Sequence, residues 1–213
     1  MYKVEDLDPK SIEYRYVAYK FGKTRNGRDD NTLSIKKTIK NMMVEGLPPE
    51  ASNIKSIQKI YNLVVYQRIE GELIRMLAKQ HNQPMPLSAN DLVKHLFHGT
   101  KDTEPIKVYS SEEGLDMRFS KDGLNGYGIY FADNAKYSDD YAHKIYGSSL
   151  KQMFLCIVLT GESASFGGGH GVRMPPLKPG SNSERFDSIN TGGGGHYIIY
   201  DNLKQYPGYV ITY

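Results

Sequence analysis

Residues 126–141 read Gly126-Tyr127-Gly128-Ile129-Tyr130-Phe131-Ala132-Asp133-Asn134-Ala135-Lys136-Tyr137-Ser138-Asp139-Asp140-Tyr141. The run 128–132 is branched and aromatic and follows a pair of glycines, which predicts a strand. From Ala135 the pattern turns helical and predicts a helix over 135–146, on which Ser138 and Tyr141, three apart, share a face. The strand can bring Tyr130 to a surface that the helix flanks with a hydroxyl and a second aromatic ring. Such a set suits a planar amide held between two tyrosines. Upstream, Leu96-Phe97-His98-Gly99-Thr100 ends another predicted strand with a histidine beside a residue that has no side chain. A glycine there lets a ligand meet the backbone closely.

Working outward, the same strand grammar recurs at residues 93–97, 153–159, 197–200 and 209–213, with Gly/Pro/Asn/Asp/Ser clusters between the runs. A loop from Gly161 to about Arg185 holds Gly167-Gly168-Gly169-His170-Gly171, then Pro175-Pro176. Loops longer than about 15 residues inside a compact domain tend to be functional. The chain before residue 93 reads differently. Residues 2–22 predict a short extended piece and then a helix carrying Ile12, Tyr16, Val17 and Phe21, and 23–31 predict a loop. Thr32 can cap a second helix with Leu33, Ile39 and Met43, stopped by Gly46-Leu47-Pro48-Pro49. Asn62 can cap a third that presents Val65, Ile69, Leu73 and Met76 on one side. It ends before Asn82-Gln83-Pro84. The predicted class is α+β: N-terminal helices followed by a mostly antiparallel β core.

Composition narrows the function. With 213 residues, 39% hydrophobic and 24% charged, the chain can bury one substantial core but not two large ones. The net charge of +3 comes from interspersed charges. The basic bias of 20–28, next to Asp29-Asp30, reads as a solvated loop, with a nucleic-acid arm as the alternative. Cys156 is the single cysteine and lies in an apolar run, so no intrachain disulfide forms; a reducing, intracellular setting (cytoplasmic or nuclear) is the expectation. No signal-peptide core opens the chain, and no apolar run approaches the roughly 18 residues of a membrane helix. A soluble chain without membrane attachment is expected. The glycine run at 167–171 lacks the strand–helix context of a dinucleotide fingerprint, and no Walker-type Gly-Lys-Ser/Thr occurs. His95 and His98 point to opposite faces of a strand, so no metal site is expected.

Taken together, His98-Gly99-Thr100, then Gly126-Tyr127-Gly128-Ile129-Tyr130-Phe131-Ala132, then Ser138-Asp139-Asp140-Tyr141 resemble, in order and spacing, the catalytic domain of poly(ADP-ribose) polymerases, which are diphtheria-toxin-like ADP-ribosyltransferases. The similarity continues through 153–161, Pro175-Pro176, Phe186-Asp187-Ser188 and the closing Tyr206-Pro207-Gly208-Tyr209-Val210-Ile211-Thr212-Tyr213. It covers residues 53–213 plus a patch near Glu13-Tyr14. Residues 24–52 look like an insertion, within a single catalytic domain over 1–213. The texture is closest to the mono-ADP-ribosylating branch.

The resemblance implies a split two-sheet β core around an NAD cleft, NAD as co-substrate and no metal. It implies that the Gly99 backbone and the Ser138 hydroxyl hold the nicotinamide amide, and that Tyr130 and Tyr141 sandwich its ring. His98 would orient the adenine-side ribose with Thr100 nearby, and Tyr127 and Gly128 would belong to the same cofactor-binding set. The loop after Gly161 would cover NAD, and the segment from Asp187 to Gly195 would border the acceptor. Arg118 is one residue displaced from the family's arginine and is not assigned to the phosphates. Counting back from Pro207, the position of the glutamate of chain-building members falls on His196, which leaves His98, Tyr130 and His196 as the catalytic set. A histidine, with pKa about 6.5, supplies no carboxylate to a cationic sugar. This argues against chain elongation. The implied activity is single-unit transfer to a protein acceptor, including the chain itself, by a monomer without room for the regulatory helical domain of chain-building members. The alternative is a silent homologue that binds NAD or ADP-ribose.

Overall fold

The computed structural model describes residues 1–25, 35–81, 83–165, 169–191 and 195–213. The expected cap Thr32 with Leu33, the end of the basic stretch at 26–30, Asn82, Gly167-Gly168 and residues 192–194 lie outside the described residues. Ten strands are present among the described residues: β1 Tyr2–Asp6, β2 Ser56–Asn62, β3 Val93–His98, β4 Ile129–Ala132, β5 His143–Lys144, β6 Lys151–Leu159, β7 Ser163–Ser165, β8 Ser188–Asn190, β9 His196–Ile199 and β10 Gln205–Thr212. The α-helices are α1 Ile12–Arg25, α2 Ile35–Glu45, α3 Leu63–Gln80, α4 Ala89–Leu92, α5 Pro105–Tyr109 and α6 Ala135–Asp139. None is long and apolar enough to cross a membrane.

The strands form one open sheet in the order β1-β2-β10-β6-β3-β4-β9-β8-β7, with β5 pairing β6. All neighbours are antiparallel except β7 and β8, which run parallel. The expected split is visible as a weak joint. β3 runs along β6 for six residue pairs but meets β4 at a single pair, Phe97↔Ala132. Two strand groups are therefore hinged on one rung, connected rather than separate.

The unbroken apolar run of β6 is explained by burial on both faces. Met153 and Leu155 face the cluster of α1, with Tyr19, Phe21, Phe97 and Ile211. Their neighbours Phe154, Cys156 and Val158 face the opposite cluster, with Leu96, Ile129, Phe131 and Tyr197. This is the two-residue period of a strand expressed in a sequence with no polar positions. Burial pushes the Cys156 thiol up, away from the reactive thiolate. The amphipathic α3 packs Val65, Ile69 and Met76 on Leu159 and Tyr206, and the side chain of Asn62 caps it by accepting from the Val65 N–H, as its sequence predicts.

Several expectations need correction. The loop assigned to 23–31 begins later, because α1 continues through Arg25. Lys20 of the basic stretch is buried there, Lys23 pairs with Glu45 and Arg25 pairs with Asp139. The helix expected over 135–146 stops at Asp139, and β5 follows within four residues. Tertiary contacts of the Tyr141 carbonyl, described below, override local helical preference there. Residues 56–62 form β2 between β1 and β10, and the long loop contains the short strand β7.

One buried pair makes the fold sensitive to pH. The Tyr16 hydroxyl lies 2.8 Å from Nδ1 of His95, and burial, aided by the Lys20 ammonium, pushes that imidazole down to about 4. The unfolded chain protonates near 6.5, so it binds more protons than the folded chain between those values. Stability is therefore complete above about pH 6.5 and falls as pH drops towards 4, by on the order of 2 kcal/mol from this group. Urea denaturation at pH 7 and pH 4.5 should show a smaller acid loss for His95→Gln than for the wild type; equal losses would remove His95 from the account.

Candidate functional site

The site is built where the β3–β4 ladder stops. One residue past the last rung, His98 replaces backbone pairing with its side chain: Nδ1–H donates to the carbonyl oxygen of Tyr130 at 2.7 Å. That bond places the hydrogen on Nδ1 and leaves Nε2 as an acceptor. Burial holds the imidazole below the usual histidine range, so the ring is neutral at pH 7. The Phe131 ring packs against it at 5.4 Å.

The chain then turns through Gly99, Thr100 and Lys101 onto the segment after α6. The Lys101 N–H donates to the Tyr141 carbonyl at 2.8 Å, and His143 Nδ1–H donates to the Lys101 carbonyl at 2.8 Å. Lys101 holds a left-handed backbone, φ 49°. A Cβ on Gly99 would overlap the Tyr141 carbonyl and come within 2.7 Å of the Ala142 nitrogen. Glycine is required here because another stretch of backbone approaches it. The Thr100 hydroxyl is turned to the Thr103 carbonyl at 2.6 Å.

Tyr130 is fixed at both ends. Its hydroxyl accepts from the Asn125 N–H at 2.9 Å and donates to the Gly126 carbonyl at 2.8 Å. The turn that supplies these groups is closed by reciprocal bonds between Gly123 and Gly126 and is covered by the loop after β7. Gly169 N–H donates to the Leu124 carbonyl, Tyr127 N–H to the Val172 carbonyl (both 2.8 Å) and Gly171 N–H to Asp122. Tyr127 itself carries the Arg173 guanidinium, 4.1 Å above its ring. Gly128 leaves room for Ile198 and the Ile199 carbonyl. Both expected binding residues of this pair thus have structural work in the strand and the loop.

Helix α6 has five residues, so its position depends on outside contacts. Asn134 caps it by accepting from the Tyr137 N–H, and the Thr24 hydroxyl oxygen accepts from the Ala135 N–H at 2.9 Å. Asp139 receives the Tyr213 hydroxyl at 2.6 Å and the Arg25 and Lys151 cations at 3.0 Å each. Burial works to raise its carboxyl, but the Tyr213 hydroxyl and the two cations outweigh it and hold it below the usual carboxylate range. Ser138 is buried. Tyr141 is half exposed, with Lys101 Nζ 5.2 Å from its ring centre. His196 opens β9 opposite Ala132, and the Tyr137 ring lies 3.9 Å from it.

The expected residues His98, Gly99, Tyr130, Ser138, Tyr141 and His196 therefore gather around the joint, with Thr100 and Tyr127 at its margins. Tyr137, which the sequence reading passed over, stands among them. Arg118 is exposed and pairs with Asp116. Two surface clefts, one beside Glu45–Glu50 and one between α3 and residues 183–187, hold none of these residues. Half-exposed tyrosines stand at the joint instead. Among the described residues no three His, Cys, Asp or Glu side chains are arranged for a metal ion.

The Gly99 contact gives a direct test. A methyl group in Gly99→Ala must push the Tyr141–Ala142 peptide away, which costs on the order of 1–3 kcal/mol. An unchanged urea midpoint would show that this contact is not made.

The chain matches the family described as Poly(ADP-ribose) polymerase catalytic domain over residues 29–213. It is 35% identical over 162 residues to a protein of Dictyostelium discoideum named Probable poly [ADP-ribose] polymerase, covering 75% of this chain and 44% of that protein. It is 26% identical to the human Protein mono-ADP-ribosyltransferase PARP14, covering 99% of this chain and 10% of that protein. The chain thus spans less than half the length of either relative. By its motifs, its open antiparallel sheet and these matches, the chain belongs to the poly(ADP-ribose) polymerase catalytic domain family.

Proposed function

We propose that this domain is an NAD-dependent ADP-ribosyltransferase that moves a single ADP-ribose unit to a protein acceptor and releases nicotinamide. The family supports NAD as co-substrate. The single-unit reading is supported by His196, which lies opposite Ala132 and by the resemblance takes the place of the chain-building carboxylate.

In this reading Tyr130 and Tyr141 enclose the nicotinamide ring, while the Ser138 hydroxyl and the Gly99 backbone bond its amide. Nε2 of His98 accepts from a ribose hydroxyl. The C–N bond to nicotinamide breaks with its electron pair leaving on the ring, so positive charge grows on the ribose. An acceptor oxygen then forms the new bond and gives its proton to solvent. Positioning and electrostatics are the main contributions available to the protein. The depressed pKa of His98 matters here, because a neutral imidazole adds no positive charge beside the forming cation. Without a carboxylate at 196 nothing activates the hydroxyl of an attached ADP-ribose, and the product stays one unit long.

A second reading is an NAD or ADP-ribose binder without chemistry, favoured by the same lack of a carboxylate at 196. Labelled NAD separates the two. Transfer predicts discrete single-unit modification of the chain or a partner, reduced about 100-fold in Tyr141→Ala, which removes one wall of the pocket. Polymer ladders would overturn the single-unit reading. Calorimetric NAD binding with no nicotinamide release would leave only the binder.

A further inference from the structure

Tyr137, on α6, lies beside two of the expected site residues. Its ring lies 3.9 Å from the imidazole of His196 with 33° between the planes, and 5.7 Å from the Tyr141 ring. Burial first, then Tyr141, Tyr130 and Asp140, raise the pKa of its hydroxyl. It is half exposed, so part of the side chain is open to solvent.

The two rings come from elements anchored independently. Tyr137 belongs to the short helix held by Asn134, Thr24 and the Asp139 cluster. His196 follows Gly195, whose φ of 60° turns the chain into β9, and its carbonyl accepts from the Thr191 N–H. A histidine at a strand end has rotamers to choose between. A tilted ring 3.9 Å away narrows that choice on the side it covers.

We propose that Tyr137 is a positioning residue for His196, seating its imidazole by stacking and so fixing the group that the groove presents where the acceptor approaches. The role deepens the single-unit reading above and rests on it. The contact needs the ring and not the hydroxyl. Tyr137→Phe should therefore preserve it, and Tyr137→Leu should lose it while keeping bulk in place.

Two measurements test this. The first is independent of activity: in NMR spectra, the ring protons of His196 should be shifted by the tyrosine ring current in the wild type and in Tyr137→Phe, and should move to unstacked positions in Tyr137→Leu and Tyr137→Ala. Unshifted protons in the wild type, or no change in the Leu and Ala variants, overturn the proposal. The second is nicotinamide release. Tyr137→Leu should lower kcat about tenfold with KM for NAD nearly unchanged, and Tyr137→Phe should stay within about twofold. In a His196→Ala background, Tyr137→Leu should cost nothing further, since a seat without an occupant has no effect. Additive losses would overturn the positioning role. A wild type that releases no nicotinamide overturns the transferase reading, and with it the role in transfer, while the NMR result alone still decides whether the stack exists.

Discussion

The hydrogen bond from His98 to the Tyr130 carbonyl is the constraint on which the groove depends. Antiparallel strands normally continue pairing until one turns away. Here the ladder ends after Phe97↔Ala132, and the next link is an imidazole in place of a peptide. The strands are held together at that point and free to part beyond it. One bond of this kind is worth only about 1 kcal/mol net. Its importance is geometric, because it sets the strand separation and the histidine tautomer together. Burial then keeps that tautomer neutral.

Around this link, segments distant in sequence fasten one another. The turn after His98 lies on the peptide after Tyr141, so the two sides of the groove share a contact that excludes any side chain at Gly99. The hydroxyl of Tyr130 is committed to the 123–126 turn, which the loop after β7 covers through backbone bonds. Asp139, next to Ser138, draws in Arg25 from α1, Lys151 from β6 and Tyr213 after β10. Removing that carboxylate would leave two partly buried cations facing each other. A five-residue helix far too short to be stable alone is thereby given a fixed place.

How much of this could be read from sequence varies by residue. The β6 run, the β4 strand and the Asn62-capped α3 announce themselves through composition, period and cap. The groove residues were reachable through their spacing, as the gathering of His98, Gly99, Tyr130, Ser138 and Tyr141 shows. Other features depend on contacts that no local pattern carries. The helix after Ala135 looks longer in sequence because nothing nearby signals that Lys101 takes the Tyr141 carbonyl. Strand β2 buries Ile57 and Ile60, whose spacing of three hides its alternation, and β7 and β8 are short serine-bearing strands without an apolar signature. Tyr137, on α6, carries no local signal because its partner His196 lies far along the chain in β9. Lys20 reads as surface charge and is buried, since α1 presses that side of itself against Phe97.

The attachment of α1 to α6 has an evolutionary consequence. Thr24 and Arg25 tie the final turn of α1 to the helix bearing Ser138, immediately before the chain departs towards α2. A length change downstream of that clasp alters loop entropy only slowly, by about 0.6 kcal/mol per doubling. The clasp decouples the groove from such changes. Relatives can therefore diversify this stretch by insertion or deletion while the geometry around Ser138 is inherited intact.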